Sequence, residues 1–261
     1  MAAKKNYTDY KLKRYVTHLT QECYFNKQPS NKEIDMSLHH LNKNMTPERG
    51  NSKKEILAYY RHRLSQLYHL NRKNLVTGLE WVITAPTGLT EEQRWKFFDV
   101  SLDYLKETYG EENIITAFVH ANEGIKNKGV VLYGEWHMHT LLIPVKDIEN
   151  PMPRHKGFTQ KICNRDVCTL AHLRQFHKSF QAYVDEHLPF KAQVYKGGIT
   201  SANSKDVKLL KAETKYEIEH QKVLEQHREI EKLREKIAEI ELNKTNSWGN
   251  NATWGEYTYG G

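Results

Sequence analysis

Cysteine is scarce in this chain: Cys23, Cys163 and Cys168 are the three thiols among 261 residues. Three thiols make no disulfide framework, so a reducing, cytoplasmic setting is expected. Long apolar runs are missing as well. Leu141 to Val145, among the longest, falls far short of the roughly 20 residues that span a bilayer, so no membrane partner is expected. Met1 to Arg14 is polar and cationic with no apolar stretch behind it, and it does not read as a signal peptide. Acidic residues are in deficit. Against 39 Lys and Arg stand 32 Asp and Glu, a formal charge of +7. That surplus runs along the whole length and favours an anionic partner, most commonly nucleic acid, although a soluble protein can be basic without one.

The remaining composition supports a folded main domain and an appendage. Residues 1–50 are polar and irregular, with one short helix expected around Tyr15–Tyr24. Ile56, Leu57, Tyr60, Leu64, Leu67 and Tyr68 recur at spacings of three and four, which predicts a helix from about Ser52 to Leu70. Ser52 serves as its N-cap, with Glu55 in capping-box position. A strand is predicted from Leu75 to Thr84, and then a helix capped by Thr90, stopped by Gly110, with Trp95, Phe98, Leu102 and Leu105 on its apolar stripe. Two further extended runs follow, Ile114 to Val119 and Glu135 to Val145, with the turn signal Asn127-Lys128-Gly129 between them. Thr169 to His187 is predicted as another helix. Helix, strand, helix, hairpin, helix is the order of an α+β protein with helices packed on an antiparallel sheet.

After Asp206 the composition turns to Lys, Glu, Gln and spaced aliphatics. A heptad seam passes through Leu209, Ala212, Tyr216, Glu219, Val223, Gln226, Ile230, Leu233, Ile237 and Ile240. The expected organisation is a main domain over 1–205, a long helix or coiled coil over 206–243 that makes a homodimer, and a disordered tail over 244–261.

The chemistry concentrates in Glu135-Trp136-His137-Met138-His139. On a strand, alternate side chains share a face, so Glu135, His137 and His139 stand together. His120 ends the preceding run and comes close to them if the two runs pair. A histidine on a strand is more often packed or solvated than a ligand. Here a third imidazole and the nearby carboxylates of Glu123 and Glu135 point to a divalent cation with open positions. Two enzyme classes fit: a zinc hydrolase acting through bound water, or a phosphodiester transferase in which the metal polarises a phosphate. The basic charge favours the second. Cys163, Cys168, His172 and His177 have knuckle-like spacing, but ordinary residues at a helix start are the better reading.

Several pieces, in shared order, carry a resemblance over roughly residues 15–215. They are Ser30-Asn31-Lys32-Glu33-Ile34-Asp35 with His40-Leu41-Asn42; Glu80-Trp81-Val82-Ile83-Thr84; Phe97-Phe98 with Tyr109-Gly110-Glu111-Glu112-Asn113-Ile114; and His120 to His139. The chain resembles plasmid mobilization and recombination relaxases of the Mob/Pre (MobV) family, within the HUH endonuclease class. The resemblance implies an HUH-type antiparallel sheet of about five strands. It also implies Mn²⁺ or Mg²⁺ held by His120, His137 and His139, with Glu123 completing or orienting the site. The activity implied is site- and strand-specific nicking of plasmid origin DNA, single-stranded or folded as a hairpin, through a covalent 5′-phosphate intermediate. The chain departs from the family pattern in several places. Asn122 stands where an Asp is usual, the segment from Gly124 to Trp136 is longer with no proline before His137, and Gln21 and Tyr24 stand where the family carries its nucleophilic histidine and an arginine. Glutamine cannot attack phosphorus. His18, one helical turn earlier, and Tyr24 are the substitutes, with Tyr24 preferred because phenol chemistry is general in the class.

Lys53, Lys54, Arg61, Arg63, Arg72 and Lys73 cluster on or beside the first long helix and are the candidate DNA-facing residues. Competing readings are a rolling-circle replication initiator, a DNA-binding derivative that does not cleave, and the zinc hydrolase.

Overall fold

The computed structural model describes residues 2–24, 34–123, 125–127, 130–133, 136–195 and 207–249. Ser30 and Asn31, Lys128 and Gly129, Glu135 and the tail from 250 onward lie outside the described residues. The chain forms two units, residues 1–200 and 201–261.

In the first unit, β1 (Ala2–Thr8) leads directly into α1 (Asp9–Thr20). Then come β2 (Lys43–Asn44), α2 (Lys53–Ser65), β3 (Val76–Thr84), α3 (Glu91–Tyr109) and β4 (Ile114–His120). A ribbon of β5 (Ile125–Asn127) and β6 (Val130–Tyr133) precedes β7 (His137–Leu142). A second small ribbon, β8 (Val145–Asp147) with β9 (Gln160–Ile162), leads into α4 (Asn164–Val167) and α5 (Leu170–His187). Five strands make one sheet in the order β1-β3-β7-β4-β2, with every neighbour antiparallel. The α+β class and the five-stranded antiparallel sheet are as expected.

The N-terminus is a correction. It is not irregular: β1 is an edge strand on β3, pairing Ala2 with Ile83 through Tyr7 with Gly78. Its lysines suit an edge, where charge discourages pairing with a second molecule. The helix expected around Tyr15–Tyr24 starts earlier, at Asp9, and stops at Gln21, which takes the left-handed conformation at φ 51°. The expected hairpin between the histidine runs is likewise not simple, because β5 and β6 form a ribbon of their own within it.

Helices cover both faces of the sheet. On one, Phe97, Phe98, Leu102 and Leu105 of α3 and Phe176, Phe180 and Val184 of α5 bury Leu79, Trp81, Ile83, Val119 and Met138. On the other, Leu12, Val16 and Leu19 of α1 and Ile56, Leu57 and Tyr60 of α2 pack on Ile115, Phe118 and Leu141. Gly78 permits the close seat of α1, since a Cβ there would meet Leu12 Cδ1 at 2.4 Å. The double cover explains why all seven residues of β4 are buried. Ser52–Glu55 and Thr90–Gln93 close capping boxes on α2 and α3. The first of these helices ends at Ser65, short of Leu70, and Leu67 is buried in the turn that follows.

The second unit holds α6 (Val207–Gly249). It continues past 243 into the stretch expected to be disordered, because no glycine or proline interrupts it before Gly249. No helix among the described residues is long and apolar enough to cross a membrane.

Candidate metal centre

Register places the first two imidazoles. Antiparallel pairing sets His120, at the end of β4, opposite His137, at the start of β7. His139 lies two residues along β7 and on the same face, so the three rings cluster with centroids 4.8 to 5.8 Å apart. Just beyond β4, Glu123 sets Oε1 3.0 Å from His120 Nδ1 and Oε2 3.7 Å from His137 Nε2. Helix α1 covers this face and adds a fourth imidazole. His18 lies with its ring 5.4 Å from those of both His120 and His139, and its Nε2 is 4.0 Å from Glu123 Oε1.

Two sets of three donors converge here, each within 4.8 Å: His18, His120 and His139, and His120, Glu123 and His137. Buried nitrogens test whether a cation fits. His139 Nε2 and His120 Nδ1 are both fully buried; neither meets hydrogen-bond geometry among the described residues, and the second faces Glu123 Oε1 at 3.0 Å. Their opposite nitrogens are committed. His120 Nε2 lies 3.0 Å from the Leu19 carbonyl, and a carbonyl only accepts, so that nitrogen carries the proton. His139 Nδ1 lies 2.6 Å from Glu80 Oε1. Each ring is therefore held from outside by one nitrogen and turns the other into the site, the orientation that a metal ligand needs. Nitrogen and carboxylate donors suit manganese and zinc alike; the thiols of Cys163 and Cys168 form no such group among the described residues.

Glu80 is the residue that sequence reasoning passed over. It was noted only as part of a strand motif, yet its side chain is wholly buried. Tyr7 Oη donates to its Oε2 at 2.7 Å, and Tyr15 Oη donates to its Oε1. Burial opposes its ionisation, but His139, Tyr15 and Tyr7 together outweigh that and hold the carboxyl below its ordinary range. The signal available was a carboxylate in an apolar strand; its partners, from β1, α1 and β7, are far away in sequence. Glu123 is likewise held well below the carboxylate range, with burial opposing and the imidazoles of His120 and His137 prevailing. Burial pushes His139 down to about 3 against the pull of Glu80, and it lowers His18 as well.

The other predicted residues separate. Tyr24 sits on a short 3₁₀ turn just after Gln21, and its phenol is shifted upward by burial first and then by Cys23 and Glu123. Lys54, Arg61, Arg72 and Lys73 are exposed. Lys53 is half-buried and reaches Thr17 Oγ1 of α1 at 2.6 Å. Arg63 is a correction: it is 7% exposed and cannot form part of an outward face. Its guanidinium donates to Asn113 Oδ1, Gln66 Oε1 and Gln160 Oε1, tying α2 to the turn before β4 and to β9.

Comparison with known proteins agrees with this architecture. The chain is similar to a plasmid recombination enzyme of Lactiplantibacillus plantarum, 30% identical over 151 residues, which is 56% of this chain and 37% of that protein. It is also similar to one of Streptococcus agalactiae, 32% identical over 123 residues, 45% of this chain and 23% of that protein. The matched segment thus spans well under half of these curated relatives. Among solved structures, the MobM relaxase domain (MOBV; Mob_Pre), Mn-bound at pH 5.5 with plasmid pMV158 oriT DNA, aligns with a TM-score of 0.61 and 25% identity, covering 81% of this chain and 97% of that one. The same domain at pH 6.8 gives 0.61 and 24% with the same coverage. The family model described as plasmid recombination enzyme, Mob_Pre, matches residues 3–197, and the chain therefore belongs to that family.

Proposed function

We propose that the chain is a metal-dependent relaxase of the HUH type, which nicks one strand of plasmid origin DNA by transesterification and holds the 5′ phosphate covalently. One observation carries this reading: two buried imidazole nitrogens, each with its opposite nitrogen committed, converge with a carboxylate beside a further imidazole. The Mn-bound, DNA-bound relaxase domain of like fold supports it. Mn²⁺ or Mg²⁺ would be held by His120, His137, His139 and Glu123. Such a cation, when bound, supplies positive charge beside a non-bridging oxygen of the scissile phosphate.

The geometry favours His18 over Tyr24 as the attacking group. His18 stands within the cluster, and burial keeps its imidazole neutral, with a lone pair to give. The raised pKa of Tyr24 works against a phenolate. The His18 nitrogen forms a bond to phosphorus as the bond from phosphorus to O3′ breaks. O3′ leaves with the electron pair, takes a proton from solvent and ends as a 3′-hydroxyl, while the 5′ phosphate stays on the imidazole. Rejoining is the reverse. Lys54, Arg61, Arg72 and Lys73 are the candidates for phosphate contacts.

The test is adduct mapping. Single-stranded oligonucleotides tiled across the DNA flanking the gene, incubated with protein and Mn²⁺, should yield a protein–DNA adduct on His18 by mass spectrometry. His18→Ala should abolish the adduct, and Tyr24→Phe should retain it. An adduct on Tyr24 would return the role to the phenol. DNA binding without any adduct would favour a non-cleaving derivative, the reading that Gln21 at the family's nucleophile position keeps open.

A further inference from the structure

Gln21 is fully buried, and it is the one positive-φ residue other than glycine among the described residues. A glutamine held in the left-handed region is a strained choice that the surroundings must enforce. The side chain shows what that conformation achieves. Gln21 Nε2 donates to Glu123 Oε1 at 2.9 Å, and its Oε1 accepts from Asn122 Nδ2 at 3.0 Å and from Asn42 Nδ2 at 3.1 Å. Two of the places where the chain departs from the family pattern, Gln21 and Asn122, are therefore bonded to each other.

The polarity of this network has a fixed origin. An amide side chain can turn over, exchanging donor for acceptor, but a backbone N–H cannot. The Ala121 N–H donates to Asn42 Oδ1 at 2.8 Å, so Asn42 must turn its NH₂ the other way. That group donates to Asn122 Oδ1 at 2.9 Å and to Gln21 Oε1. Asn122 then turns its own NH₂ to Gln21 Oε1, and Gln21 is left with its NH₂ facing Glu123. Turned over, Gln21 would set a carbonyl oxygen against the carboxylate. The direction thus passes from a backbone amide through three side chains to the carboxylate beside His120, His137 and His18.

We propose that Gln21 is a positioning residue that orients Glu123 for a divalent cation, and that Asn42 and Asn122 set the direction of its amide; this rests on the cation-site reading above. The test uses the full chain, titrated with Mn²⁺ alone and followed by the EPR signal of the free ion. Gln21→Met should weaken binding about tenfold or more, the scale of a lost outer partner. In a Glu123→Gln background the same change should alter affinity less than twofold, because the residue acts through Glu123. Asn42→Asp keeps the bond from Ala121 but removes the donor, so Gln21 must turn over and binding should weaken. The added negative charge by itself would tighten it. Wild-type affinity in Gln21→Met, or an equal loss in both backgrounds, overturns the proposal. So does unchanged or tighter binding in Asn42→Asp, which decides the matter if Gln21→Met does not fold. A wild-type chain that takes up no Mn²⁺ brings down the cation site itself and this role with it.

Discussion

At the scale of single residues, the centre is organised by which nitrogen of each ring is occupied. Glu80 fixes His139 from behind, so Glu80→Gln should weaken Mn²⁺ binding by about ten- to a hundredfold while the circular dichroism of the fold persists; unaltered affinity on calorimetric titration would count against that role. Acid should expose the same pair. His139 is pushed down to about 3 from an ordinary 6.5, so below pH 6.5 the unfolded chain binds a proton that the folded chain refuses. Glu80, held below 4.5, adds to this at lower pH. Both contributions are present at neutral pH and lost on acidification, so the metal-free melting temperature should fall steadily from about pH 6.5 downward. A flat profile between pH 7 and 5 would contradict the burial of a neutral His139. His120, His137 and His139 were legible in the sequence because strand periodicity puts alternate residues on one face. Glu80 was not, and His18 entered only as a substitute nucleophile, because their place among the three imidazoles depends on how α1 and β3 pack, which no local pattern encodes. Arg63 misled for a related reason: charge alone does not distinguish an arginine facing solvent from one bonded to the buried Asn113 and to two glutamines. Arg63→Ala should cost about 1–3 kcal/mol in urea denaturation by leaving the buried Asn113 carbonyl without its donor. Arg61→Ala should stay within about 0.5 kcal/mol.

At the scale of elements, the starts of the capped helices were readable to the residue, since Ser52 and Thr90 write their own start signals, whereas the first helix ended five residues early, at Ser65. Ser52→Ala should lower stability by about 1 kcal/mol. Helix α1 was half legible. Leu12, Tyr15, Val16 and Leu19 keep helical spacing, but the lysines and arginines among them masked the stripe. Edge strand β1 was not legible at all, because its polarity reflects a position at the rim of a sheet, which emerges only once β3 is in place. That strand carries Tyr7 to Glu80, so an apparently featureless N-terminal stretch bears on the metal centre.

At the scale of the whole molecule, α6 presents Tyr216, Val223, Ile230 and Ile237 at seven-residue intervals, with Leu233 and Ile240 beside them, and all are exposed. We propose that a second copy of the chain covers this stripe as a coiled coil. Replacing Ile230 and Ile237 together with Lys should convert a dimer to a monomer by light scattering; a monomeric wild-type chain would remove the proposal. Binding to DNA should weaken with salt, by about 0.9 log unit per decade for each phosphate contacted on duplex DNA, and Arg61→Ala should reduce that slope by about one contact if it touches phosphate.

In the chain, the small ribbon of β5 and β6 falls between Glu123 and His137. The paired ends of β4 and β7 hold His120, His137 and His139 through main-chain hydrogen bonds, so the spacing of these imidazoles is independent of what the tip contains. Lengthening or shortening the tip should therefore leave ion capture intact. Glu123, which follows the end of β4, lies outside that pairing, and we propose that a partner gripping the ribbon would draw on its carboxylate before it reached the imidazoles.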